Sequence, residues 1–175
     1  MAAFTIDIAS PLQASAFTGD LRGPGIGTHA EGDWYNRFGM DLGANPGTEV
    51  RAAFDGHITR YNHHNPSTDT AEKYGAQIFV RAHNNRMGGA YMHLTAVPSK
   101  LAEGVFVSRG ERLGEVMAFG QTSSHLHWAL VEIIGGLPGG TYKGVDLHKH
   151  LVAATRSDST LTVQFHQNGA APTVI

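Results

Sequence analysis

A chain of 175 residues, 41% hydrophobic and 16% charged, is sized for one compact domain with its own core, which excludes a disordered tail, a fibre and two full-sized domains. Thirteen Lys and Arg against fifteen Asp and Glu leave a formal charge of -2, with no basic run to track a phosphate backbone, so nucleic acid is not an expected partner. The absence of Cys excludes disulfides and thiolate metal sites, whereas 11 His supply the side chain that most often ligates transition metals and titrates near neutrality.

The opening stretch Met1 to Ser10 carries Asp7 and no Lys or Arg, so a secretory signal peptide is not expected there. Val50 to Phe54 and His57 to Tyr61 flank Asp55-Gly56, which predicts a hairpin closed by a two-residue turn. Tyr61 to Lys73 is polar and contains Pro66, so it reads as a long surface loop. Gln77 to Ala82 and Gly89 to Leu94 form a second strand pair around the polar turn His83 to Arg86. Leu126 to Ile134 is the longest predicted strand. The most apolar segment, Trp128 to Leu137, is broken by Glu132 and Gly135-Gly136 and falls short of the roughly 20 residues that span a bilayer, so a soluble chain with no membrane partner is expected. Leu147 to Ala154 can place Leu147, Leu151 and Ala154 on one face of a short helix. Leu161 to Phe165 reads as a last strand, followed by a Gly/Ala/Pro tail expected to be poorly ordered. The reading is a mainly β, single-domain antiparallel fold with one short C-terminal helix.

Three pieces of this sequence can carry chemistry. His125-Leu126-His127 opens the longest strand, where alternation puts both imidazoles on one face with Cα atoms roughly 6.6 Å apart. Tyr91-Met92-His93-Leu94 closes another strand, and Arg37-Phe38-Gly39-Met40-Asp41 offers an acid across a glycine from a cation. Taken singly, each is what surface histidines, a hydrogen-bonded core histidine and a loop ion pair would also give.

Their order and surroundings add more. Phe38-Gly39-Met40-Asp41, Ala53-Phe54-Asp55-Gly56-His57-Ile58, Tyr91-Met92-His93-Leu94, Val107 through Gly114, and His125-Leu126-His127-Trp128 occur in the succession of the M23 zinc metallopeptidases of the lysostaphin and LytM type. Val145-Asp146-Leu147 through Leu151 echoes the close of that pattern. The chain resembles this family from about Gly25 to Leu151. The resemblance implies an M23-type antiparallel β fold over residues 25–155, with a groove. Residues 1–24 would precede it, and 156–175 would follow as a strand and tail. It implies action on peptide cross-links of bacterial peptidoglycan, Zn²⁺ as cofactor, Asp41 and His127 as metal ligands, and His93 and His125 as unligated catalytic histidines. Glu111, Asp55 or a backbone carbonyl would orient these rings. Loops Ala30 to Asn36, Tyr61 to Tyr74 and Gly135 to Lys143 would wall the groove, with Trp34, Tyr35 and Trp128 as possible stacking surface for substrate.

One position departs from the pattern. Where the family has its first zinc-binding histidine this chain has Arg37, which offers no lone pair and stays protonated. Two expectations follow. In the first, another histidine supplies the ligand: His29 foremost, on the Gly-rich stretch Gly25 to Thr28, then His57, His63 or His64. In the second, Arg37 pairs with Asp41 in the place of the metal, and the groove of a metal-free pseudo-enzyme binds cell wall or a partner protein. The missing export signal adds an expectation of delivery with a phage or phage-like injection particle.

Overall fold

The structure, a computed structural model, describes residues 1–64, 75–118 and 123–175. Most of the expected 61–73 loop lies outside them. Among the described residues the chain forms thirteen strands and two α-helices. β1 (Phe4–Ala9) and β2 (Phe17–Arg22) lead to α1 (Trp34–Arg37), a single turn. β3 (Met40–Ala44), β4 (Glu49–Arg51), β5 (Gly56–Asn62), β6 (Ala76–Ala82) and β7 (Met87–Thr95) follow, then β8 (Phe106–Val107), β9 (Arg112–Val116), β10 (His125–Ile134) and β11 (Thr141–Val145). The chain ends with α2 (His148–Ser157), β12 (Thr160–Phe165) and β13 (Thr173–Val174).

The large sheet runs in the order β2-β3-β10-β7-β6-β5-β8, with β11 along β10 and β9 joining β4 to β7. A small sheet, β1-β12-β13, stands apart. Every pairing is antiparallel. Helix α2 buries Leu151, Val152, Ala154 and Thr155. Ile8, Leu12, Val163 and Phe165 from the first and last segments join Leu126, Trp128, Leu130, Leu151 and Val152 in one core. The tail beyond Phe165 is thus tied down at its end: Val174 pairs with Val163, which corrects the expectation of a poorly ordered terminus.

The mainly antiparallel β architecture and the β6–β7 hairpin stand as read from the sequence, and β10 is the longest strand. Its apolar run serves two faces. Leu126, Trp128 and Leu130 enter the main core. The alternate residues face the side where Trp34 and Tyr35 pack on Phe79, Ala90 and Met92. Trp128 is fully buried, so it presents no stacking surface.

The Asp55-Gly56 hairpin is overturned. β4 pairs with β9, while β5 pairs with β6 and β8. A type I′ turn needs positive φ at both central residues, and neither Asp55 nor Gly56 has it. Gly56 serves instead a close approach: a Cβ there would lie 2.3 Å from the Arg81 carbonyl oxygen. Asp55 Oδ1 accepts the Arg109 N–H at 2.6 Å. Among the described residues no helix is long and apolar enough to cross a membrane.

Candidate metal centre

The pairing of β3 with β10 sets Asp41 directly opposite His127, and the other edge of β10 sets His127 opposite Met92 on β7. Pleating then brings the Asp41, His125 and His127 side chains to one face. The third component arrives from outside the sheet. After β2, a 3₁₀ turn over Gly27–His29 folds back over β3, and its last residue, His29, is 2% exposed beside Asp41 at 6% and His127 at 5%.

Each ring is oriented by a backbone carbonyl, a pure acceptor. His29 Nδ1 donates to the Gly23 carbonyl at 3.0 Å, and His127 Nε2 donates to the Tyr35 carbonyl at 2.7 Å. Their outward nitrogens therefore carry the hydrogens, and in the neutral rings the inward nitrogens carry lone pairs. Those inward atoms meet the same carboxylate oxygen: His127 Nδ1 lies 3.0 Å from Asp41 Oδ1, and His29 Nε2 lies 3.3 Å from it. Three electron-rich atoms converging in a buried place repel one another unless a positive charge sits among them.

A proton can serve. Burial works against the charged Asp41 carboxylate, yet its hydrogen bonds with His127 and His29 prevail and hold its carboxyl well below the usual carboxylate range. Burial likewise opposes a charged His29, and the Asp41 bond and charge outweigh it, raising the imidazole above its ordinary value. A divalent ion answers the same need. The donor atoms of His29, Asp41 and His127 all lie within 4.8 Å of one another, and two imidazole nitrogens with one carboxylate oxygen suit Zn²⁺ with a position left open.

Two further histidines border this triad. His125 Nδ1 donates to the Ser123 carbonyl at 2.9 Å, leaving Nε2 as its inward atom, 3.5 Å from Asp41 Oδ1. The His93 ring stands edge-on to His125 and His127, with centroids 5.1 and 5.8 Å away. His93 has φ +65°, the left-handed region, which costs a non-glycine residue of order 1–3 kcal/mol. The Met117 N–H donates to the carbonyl of this strained residue at 2.9 Å.

Arg37 is not part of the cluster. It ends α1 with its side chain exposed, and among the described residues no ion pair joins it to Asp41. The arginine–aspartate pair is thus overturned: Arg37 is exposed at the end of α1, and Asp41 is engaged by histidines instead. Of the alternative donors, His57 is exposed and packs its ring against Phe106, while His63 packs against Tyr61. Neither they nor His64 line the groove, which His29 does.

Glu111 binds Lys100 and the Ser108 N–H, and Asp55 binds the Arg109 N–H, so neither orients a site ring. The carbonyls of Gly23, Tyr35 and Ser123 do, and carbonyl orientation has no sequence signature. The groove measures about 590 Å³ and is lined by Leu21, Arg22, Thr28, Asn36 and Ser123 together with Asp41 and the histidines. Of the expected walls, Ala30 to Asn36 contributes Asn36; residues 135–143 do not reach it, and most of 61–74 lies outside the described residues.

Residues 35–138 match peptidase family M23. No curated protein matches the chain. Among solved structures, the antimicrobial peptidase lysostaphin from Staphylococcus simulans is 21% identical with a TM-score of 0.57, covering 85% of this chain and 55% of that one. The solution structure of lysostaphin is 22% identical with a TM-score of 0.57, covering 83% and 54%. The lysostaphin catalytic domain alone is 23% identical with a TM-score of 0.51, covering 78% and 88%. At these identities the likeness is one of fold, and this chain spans about half the length of the longer lysostaphin structures. The matched segment contains Asp41, His93, His125 and His127, while His29 lies just upstream of it. With the match covering more than half of its length, the chain belongs to peptidase family M23.

Proposed function

We propose that this domain is a zinc-dependent endopeptidase that hydrolyses peptide cross-links of bacterial peptidoglycan. His29, Asp41 and His127 would hold the ion, and His93 and His125 would handle protons. The observation that carries this reading is the fixed orientation of the rings: carbonyls of Gly23 and Tyr35 occupy the outward nitrogens, so the inward ones are presented, with Asp41 Oδ1, as a ready donor set.

Bound zinc would supply Lewis acidity and lower the pKa of a coordinated water towards about 7. The remaining work falls to the chain. The Ser123 carbonyl fixes His125 with Nε2 directed at the triad, where it can serve as a base. His93, turned inward by its left-handed backbone, stands on the adjacent side. Between them the two imidazoles can accept the water's proton, donate to the developing oxyanion and protonate the leaving amine. Arg37, held outside, puts no competing cation among the donors.

The test is metal analysis of the purified protein together with turbidity of a cell-wall suspension. The proposal expects near-stoichiometric zinc and clearing that a chelator abolishes. Metal-free protein that leaves walls intact after zinc is added would overturn it.

A further inference from the structure

Arg22 ends β2, across the sheet from Asp41, yet the two make no ion pair, since the register slips between Asp20 and Arg22 and Asp41 is engaged by histidines. The other acid on the strand, Asp20, is held by His148 Nε2 at 2.9 Å. The guanidinium turns instead to the 3₁₀ turn that supplies His29. It donates to the Thr28 hydroxyl and packs on Gly27, where a Cβ would meet Cζ and Nε at 3.3 Å. There it lines the groove, half-buried, beside the triad. Among the described residues lining the groove, Arg22 is the only permanent cation, and none of the ion pairs there includes it. Its hydrogen-bond partner there, the Thr28 hydroxyl, is neutral.

A guanidinium pinned by one donor against a turn, at the wall of an open groove, is suited to a planar anion held by paired hydrogen bonds. In a groove that receives peptides that anion is a carboxylate. We infer that Arg22 is a specificity residue that receives a carboxylate of the substrate peptide, so that the groove selects cross-links bearing a free carboxylate next to the scissile bond over uncharged ones. The inference rests on the peptidase reading above and names its substrate class. Because Arg22 is hydrogen-bonded to the turn that carries His29, the carboxylate site and the metal centre keep a fixed separation, which positions one bond of the peptide for cleavage.

The experiment uses the full chain, zinc-loaded, and three synthetic cross-link peptides. The first carries a side-chain carboxylate on the residue flanking the scissile bond, as in a diaminopimelate cross-link. The second is its carboxamide. The third has the amide there but a free C-terminal carboxylate one residue beyond. The inference expects kcat/KM for the acid to exceed that for the amide roughly tenfold, chiefly through KM, as one partly exposed charged hydrogen bond supports. The acid-to-amide ratio should fall towards one in Arg22→Gln and be partly restored in Arg22→Lys. A preference restored by the third peptide would assign the C-terminal carboxylate as the ligand. Equal rates on all three peptides in the wild type, or a ratio that Arg22→Gln leaves intact while zinc content and unfolding temperature match the wild type, would overturn it. Should none be cut, the peptidase reading fails by itself, and backbone amide shifts on titrating acid and amide peptides decide the inference. Tighter binding of the acid, lost in Arg22→Gln, supports it; equal binding overturns it.

Discussion

Gly39 and His127 compete for one space: a Cβ built on Gly39 would lie 2.2 Å from Cε1 and 2.5 Å from Nε2 of the His127 ring. The imidazole therefore lies against bare backbone at position 39. That contact, together with the Tyr35 carbonyl, aims Nδ1 at Asp41. Gly39→Ala must swing the ring away. It should weaken zinc binding roughly 10- to 100-fold, the usual cost of disturbing what orients a ligand. Competition with a chromophoric chelator measures this, and an affinity equal to the wild type would show that the ring does not need the space.

Arg37 gives the opposite expectation. Its side chain is exposed at the end of α1 and lines no part of the groove. Arg37→His, which rebuilds the ordinary family motif, should leave zinc affinity and stoichiometry as they are, because the place at the triad is filled by His29. A clear rise in affinity in the same chelator competition would mean that position 37 still addresses the site.

Tyr91 links the site strand to the rest of the core. Its hydroxyl accepts the Ala53 N–H at 2.9 Å, and burial pushes its phenol pKa up. Tyr91→Phe leaves that buried N–H unsatisfied and should cost about 1–3 kcal/mol. Urea denaturation followed by Trp fluorescence reports the loss, and an unchanged midpoint would contradict the bond.

Glu111 supplies a pH signature away from the metal. The Lys100 ammonium and the Ser108 N–H hold its carboxyl below the ordinary carboxylate range. A depressed folded value means stability that is present above the ordinary value of about 4.3 and lost as pH falls through the folded one. Glu111→Gln should therefore cost a fraction of a kcal/mol, at most about 1 kcal/mol, at pH 7 for so exposed a pair. The difference from wild type should shrink as the pH falls below the ordinary carboxylate range. Thermal unfolding across pH checks this. Zinc affinity should not move, since Glu111 orients no site ring.

The fold and four of the site's histidine and aspartate positions were legible because strand alternation and motif order depend on local sequence. His125 and His127 share a face by the two-residue period, and Asp41 meets His127 through strand pairing. The rest depends on contacts between distant segments. Asp55-Gly56 has the composition of a tight turn, but its partners are β8 and β6, and only the sheet register reveals Gly56 as a close approach. The four-residue α1 is too short to show a helical period, and it is this turn that carries Arg37 out and brings the Tyr35 carbonyl in. His29 had a faint signal in the glycines before it. Arg22 had none, since a cation at the end of a strand reads as an ordinary solvated residue until the next turn folds back onto it.

The most direct measurement is zinc per chain in wild type and His29→Ala, both dialysed against a trace of chelator and shown to be folded by circular dichroism. The account predicts about one zinc per chain for the wild type and close to none for the variant, since a catalytic site depends on all three protein ligands. A variant as fully loaded as the wild type, or a wild type that takes up no zinc, would contradict it.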